Sequence, residues 1–154
     1  MTLETKTNLN EQTIDALQDL AQINIDSRDG FRDAADQIPD AALATYFREL
    51  ADERARQAEE LQTYVELNNE RPVREGSFLA ALHRSWISIR DSLASNETHA
   101  VLAEAERGED SIKGAYEDAL KDTAGSAVND VLQTQYVQVK AAHDRIRDLR
   151  DAHA

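Results

Sequence analysis

Four apolar helical stripes run through this sequence, and each is interrupted or bordered by polar side chains of types that bind metal ions. Asn24 interrupts the first stripe, Glu53 borders the second, Glu109 interrupts the third with Glu106 one turn before it, and Gln135 interrupts the fourth. An isolated charged carboxylate is costly to bury in a protein interior. The interruptions therefore predict a polar layer whose charge is balanced by a partner.

The positions of these residues along the predicted helices indicate that they meet. Asn24 and Glu53 are almost equally distant in sequence from a predicted turn near residue 38. Glu109 and Gln135 are similarly placed about a second turn near residue 123. One hypothesis is a pair of divalent iron or manganese ions bridged by carboxylates from different helices, with Gln135 or His143 contributed by the last helix.

The alternative is a layer held by hydrogen bonds and ion pairs, in which Arg54 or Arg56 balances the carboxylates. Di-iron bundles usually carry the motif Glu-x-x-His twice. Here the residue three positions after Glu53 is Arg56, and the residue three positions after Glu106 is Glu109. Both hypotheses remain open on the sequence alone.

Crowded carboxylates should also change their own titration. If Glu53, Glu106 and Glu109 share the interior, burial and like-charge repulsion should raise at least one of their pKa values in the metal-free protein. His143 and Asp144 are adjacent, so we expect their side chains to diverge on a helix rather than to pair.

The elements that must position these residues are long helices. Apolar residues recur at helical spacing over residues 9–37, 39–69 and 97–121, and again from Val128 to Leu149. Asn8 is predicted to cap the first helix, and Pro39 to lie in the first turn of the second. A further helix is predicted in the long connection, beginning at Ser77 and ending near residue 95.

This pattern predicts an all-α fold, a ferritin-like antiparallel four-helix bundle with an additional helix in the long crossover between the second and third bundle helices. The two short connections make each helix pair antiparallel. The 70–97 segment is long enough to return along the bundle, which is the connectivity of ferritin-like folds.

Composition limits the classes of function. A chain of 154 residues with 41% hydrophobic residues predicts one domain, residues 1–154. Its net charge of -13 at pH 7 disfavours nucleic acid and anionic membrane surfaces as partners. The chain has no Cys, no long apolar run and no opening segment typical of targeting, and we expect a cytoplasmic protein.

The chain also resembles an uncharacterised bacterial family of similar length that is assigned to the ferritin-like superfamily. The resemblance rests on residues 23–31 (INIDSRDGF), 50–54 (LADER), 76–77 (GS), 82–86 (LHRSW), 104–110 (EAERGED) and 143–151 (HDRIRDLRD). It implies a helical bundle with a role in metal handling or oxidative stress. By this resemblance, the mid-helix ligand positions correspond to Glu53, Glu106, Glu109 and Gln135, with Asn24 in place of a first-helix Glu and His143 further along the last helix.

Two functions fit these observations better than a third, a di-iron oxidase or hydroxylase, which is disfavoured because at most one His lies near the layer. The first is a small ferritin-like protein that binds iron or manganese in its central carboxylate layer, with a role in metal or stress handling that requires no catalysis. The second is a metal-free structural or protein-interaction bundle that assembles as a homodimer.

Overall fold

The computed structural model describes residues 4–75 and 98–153, which form four α-helices and no β-strand. The helices are α1 (Glu11–Ala35), α2 (Ala41–Leu67), α3 (Thr98–Asp122) and α4 (Asn129–Ala152). The all-α prediction is confirmed for this part of the chain, and each predicted bundle helix agrees with the observed bounds to within a few residues. The predicted crossover helix at 77–95 lies outside the described residues.

Local side-chain chemistry explains where the first two helices begin. Asn10 caps α1 by accepting a hydrogen bond from the Thr13 backbone N–H at 2.9 Å, so the prediction of an Asn8 cap is wrong. Asp40 caps α2 by accepting from the Leu43 N–H at 3.0 Å, which leaves Pro39 before the helix rather than in its first turn. Capping side chains satisfy backbone donors that have no partner within the helix.

The turn between α3 and α4 depends on a glycine. Gly125 has a φ of 78°, a conformation that glycine adopts at little steric cost. Just after the end of α3, the Thr123 hydroxyl donates to the Ala119 carbonyl at 2.7 Å and so satisfies one of the last carbonyl groups of the helix. The chain therefore reverses over a few residues, and α4 packs back against α3.

Two apolar clusters form the core, and they lie toward opposite ends of the helices. One cluster includes Leu17, Leu61 and Leu132, and the other includes Phe31 and Phe47, whose rings meet edge to face at 5.0 Å between centroids. In α1, α2 and α3 buried polar residues lie between the two clusters, among them Asn24, Arg54 and Glu109, whereas Gln135 on α4 lies within the span of the first cluster. No helix among residues 4–75 and 98–153 is long and apolar enough to cross a membrane.

Candidate functional site

The centre of the polar layer is an ion pair between α2 and α3. Arg54 Nη2 lies 2.6 Å from Glu109 Oε2, and the two side chains are 0% and 1% exposed. Among residues 4–75 and 98–153, Arg54 is one of the largest fully buried side chains. A guanidinium stays protonated in proteins, so Arg54 places a permanent positive charge directly against the carboxylate that the third stripe buries.

About two turns further along α2 and α3, a chain of hydrogen bonds links all four helices. Asn24 Nδ2 donates to the Leu20 carbonyl and to the Tyr116 hydroxyl, both at 2.8 Å. The Tyr116 hydroxyl donates to Gln135 Oε1 at 2.6 Å, and Gln135 Nε2 donates to Glu60 Oε1 at 2.8 Å. These hydrogen bonds therefore connect α1 through α3 and α4 to α2. They engage two of the predicted ligands, Asn24 and Gln135, in contacts with other protein groups.

Glu53 lies at the edge of this layer, in a groove of about 260 Å³ between α2 and α4. Its Oε1 atom is buried and has no hydrogen-bond partner among the described residues. Gln57, one turn further along α2, is 3% exposed, and its Oε1 atom is also without a partner there. The Gln57 amide nitrogen donates across the groove to Gln138 Oε1 at 3.0 Å.

The two remaining predicted ligands, Glu106 and His143, lie together at a different place. Glu106 pairs with Arg150, and its Oε1 lies 3.9 Å from His143 Nε2. His143 Nε2 contacts Asp110 Oδ1 at 2.6 Å, and Nδ1 contacts Asp144 Oδ1 at 3.1 Å. The prediction that His143 and Asp144 diverge is wrong, because the short Asp side chain reaches the ring of its neighbour along the same helix.

The six predicted ligands are thus divided among separate groups of contacts. Glu109 is held by Arg54, and Asn24 and Gln135 are joined through Tyr116. Glu53 lines the groove between α2 and α4, and Glu106 and His143 contact residues nearer the surface. Within the described ranges, no group of three or more His, Asp or Glu side chains is arranged to hold a metal ion. The layer can nevertheless fix the helix register, because every helix contributes a polar contact to it.

Burial dominates the titration of the central groups. It raises the pKa of Glu109, although the Arg54 guanidinium opposes the shift. It also raises the pKa of Glu53, with Arg54 and Arg56 acting in the opposite direction. These directions agree with the expectation of crowded, desolvated carboxylates. Burial together with the charge of Glu109 raises the pKa of Tyr46 to about 12, so this phenol stays neutral at physiological pH.

Tyr116 joins the hydrogen bonds of the layer, although its spacing alone marks it as an apolar core position. Its spacing of seven residues from Glu109 places it on the core face of α3, and it is 0% exposed. Its hydroxyl joins Asn24 to Gln135, and buried phenols generally need such a partner. The signal available in the sequence was a phenol on the same stripe as Glu109, two turns further along α3.

Fold and site together define an all-α protein whose four described helices surround a buried polar layer with an arginine–glutamate pair at its centre. The chain belongs to the family described as "Domain of unknown function (DUF2383)", whose profile matches residues 12–122. This span covers nearly all of α1 and the whole of α2 and α3, including Arg54, Glu109 and Tyr116. A search of curated proteins gave no match to the chain.

Proposed function

We propose that this chain is a ferritin-like four-helix bundle whose central charge is balanced by Arg54 rather than by a metal pair, and that it acts through its surface as a protein-interaction module. The single observation that carries the proposal is the buried contact of 2.6 Å between Arg54 and Glu109. The guanidinium occupies the approach to Oε2, one of the two oxygens through which this carboxylate would bridge a pair of cations. A second positive centre there would be repelled by a charge that cannot be lost.

The packing of the helices supports the ferritin-like connectivity. α1 packs on α2, α3 packs on α4, and α1 also packs on α3. The first two of these pairs are joined by short turns, whereas 30 residues, 68–97, separate the end of α2 at Leu67 from the start of α3 at Thr98. One long connection between two helical hairpins is the arrangement found in ferritin-like folds.

The charge of the chain supports a surface role. Asp and Glu number 30 against 17 Lys and Arg, and most of the acidic side chains are exposed. Such a surface repels nucleic acid and anionic lipid, and it favours partners that carry basic groups. The interior layer then has a structural role, since it sets the register of the helices that display this surface.

Native mass spectrometry of protein purified without chelators tests the proposal. The expected masses are those of the metal-free chain or of its homodimer. A stoichiometric excess of mass corresponding to iron or manganese would contradict it. The charge-conserving variant Arg54→Lys provides a further check, because an ammonium cannot reproduce the reach of the guanidinium and the variant should unfold more readily.

A second candidate function is divalent-cation binding in the groove between α2 and α4. The observation that favours it is the pair of buried oxygen atoms without partners, Glu53 Oε1 and Gln57 Oε1, beside the carboxylate of Glu60. Oxygen ligands of this kind suit hard cations such as Mn²⁺. Calorimetric titration with Mn²⁺ should then show a heat of binding that the variant Glu53→Gln lacks. The control variant Glu49→Gln, on the exposed face of α2, should bind Mn²⁺ as the wild type does. A wild type that binds no Mn²⁺ would exclude this second function.

A further inference from the structure

A second concave surface lies between the first half of α1 and the last half of α3, away from the polar layer. This groove has a volume of about 800 Å³, within the usual range for ligand-binding clefts. Its walls carry five carboxylates, from Glu11, Asp15 and Asp19 on α1 and from Asp118 and Asp122 on α3. All five residues are exposed to solvent.

The spacing of these carboxylates forms two acidic rows. Glu11, Asp15 and Asp19 follow one another at four-residue intervals along α1, and Asp118 and Asp122 do so along α3. Residues four apart lie on the same helical face, so each row borders one side of the groove. None of the described residues that line the groove is Lys, Arg or His, and none of the five carboxylates forms an ion pair within those parts of the chain.

The floor of the groove is apolar and consists of three alanines and one leucine. Ala16 and Leu20 contribute it from α1, and Ala115 and Ala119 from α3. Leu20 and Ala119 are buried, whereas Ala16 and Ala115 remain partly accessible. The short alanine side chains leave space between the two acidic rows. An apolar group that enters this space would be removed from water.

The like charges are crowded in the unbound protein. Partial burial raises the pKa of Asp19, and the neighbouring Asp15 adds to the shift. A positive group placed between these carboxylates would relieve their repulsion. A chain of net charge -13 is a poor occupant for such a groove, so a second copy is disfavoured by the same charges.

We infer that this groove is a docking site for a basic amphipathic segment of another protein, with Lys or Arg side chains against the two acidic rows and apolar side chains on the alanine floor. The inference rests on the proposed interaction role and specifies its partner. Charge complementarity would accelerate association and set orientation, and the apolar floor would select a segment over a simple polycation.

Fluorescence anisotropy with a labelled helical peptide that repeats Lys-Leu-Ala-Lys tests the inference. The full-length protein should bind this peptide and should bind far more weakly a peptide with Ser in place of Leu. Raising the salt concentration should weaken binding, because exposed charge pairs are screened. Equal binding of both peptides, or displacement by spermidine at equal charge, would instead indicate a polycation site and overturn the inference.

Matched variants distinguish the effect of the groove on peptide binding from the effect of the total charge of the protein. Asp15→Asn with Asp19→Asn should weaken peptide binding by about tenfold, which corresponds to about 1.4 kcal/mol. Glu49→Gln with Asp52→Asn removes the same charge from an exposed face of α2 and should change binding less than about twofold. Equal weakening in both variants, or no binding by the wild type, would overturn the inference.

Amide chemical shifts provide a readout that does not depend on mutation. The peptide should shift resonances of the first half of α1 and the last half of α3, with small changes around Arg54. Shifts confined to other surfaces would contradict the docking site. Native mass measured on the same preparation reports whether metal is present, so a failure of peptide binding is distinguishable from a failure of the metal-free proposal.

Discussion

Arg54 and Glu109 form a buried ion pair between α2 and α3, with 2.6 Å between Nη2 and Oε2 and almost no exposed side-chain area. Removing one partner of such a pair leaves the other charged and desolvated. Two of the guanidinium nitrogens of Arg54, Nε and Nη1, already have no hydrogen-bond partner among the described residues. Glu109 is therefore the main neutralising contact of this arginine.

The first prediction concerns the loss of that contact. Glu109→Gln should reduce the free energy of unfolding at neutral pH by about 3 kcal/mol, because a neutral amide leaves the guanidinium uncompensated. Urea denaturation measures this change. Glu104→Gln is the matched control, since Glu104 lies on the same helix and pairs with Arg107, whose side chain is 69% exposed. It should cost less than about 1 kcal/mol.

The pair can also be replaced as a unit. Arg54→Met combined with Glu109→Leu should be within about 1 kcal/mol of the wild type, or more stable, because it removes both desolvated charges together. Together with the single variants Arg54→Met and Glu109→Leu, it completes a double-mutant cycle that isolates the coupling between the two residues. A Glu109→Gln variant as stable as the wild type would contradict the assignment of the pair.

The second prediction concerns pH. The pKa of Glu53 is raised in the folded state from an ordinary value of 4.5, so the folded protein binds more protons than the unfolded chain above that pH. The contribution of Glu53 to stability is therefore greatest below pH 4.5 and is lost as the pH rises through the folded-state pKa. In thermal melts from acid to neutral pH, Glu53→Gln should remove part of this decline. The exposed control Glu49→Gln should leave the pH dependence of the melting temperature unchanged. If Glu53→Gln and Glu49→Gln give the same pH dependence, the burial of charge at Glu53 is refuted.

The third prediction concerns the hydrogen-bond chain. Tyr116→Phe removes a hydroxyl that accepts from Asn24 and donates to Gln135, and it leaves two buried amides without these contacts. The expected loss is about 1–3 kcal/mol of unfolding free energy. Tyr136→Phe is the control, because the Tyr136 hydroxyl donates to Glu117 in a more exposed position. If Tyr116→Phe loses no more unfolding free energy than Tyr136→Phe, the hydrogen bonds through Tyr116 contribute little to stability.

Helical periodicity was sufficient to locate the layer but not to assign all of its contacts. The stripe positions Asn24, Glu109 and Gln135 are 0%, 1% and 2% exposed, as predicted for residues on the core face. The period of a helix fixes the direction of each Cα–Cβ bond. It does not fix where a long side chain ends, so periodicity alone leaves Arg54 and Arg56 as alternative partners and does not reveal the contact of Glu106 with Arg150.

The same limit applies to the candidate metal ligands. Sequence spacing can place residues of different helices at a similar height in a bundle. Whether their side chains converge on one point depends on their rotamers and on competing partners. Spacing places Tyr116 on the core face of α3, but it does not reveal that the Tyr116 hydroxyl engages both Asn24 and Gln135. Glu11, Asp15 and Asp19 could be recognised as an acidic row from spacing alone, whereas their juxtaposition with Asp118 and Asp122 depends on how α1 packs on α3.

The metal dependence of thermal unfolding tests most directly whether Arg54, and not a metal ion, balances Glu109. A cation bound only by the folded state at about 1,000 times its Kd would stabilise the protein by about 4 kcal/mol, or roughly 8–16 °C for a chain of this size. We expect the melting temperature in excess Mn²⁺ or Fe²⁺ to agree with that in chelator to within about 1 °C. A metal-dependent rise of several degrees that Glu109→Gln abolishes would contradict the central claim.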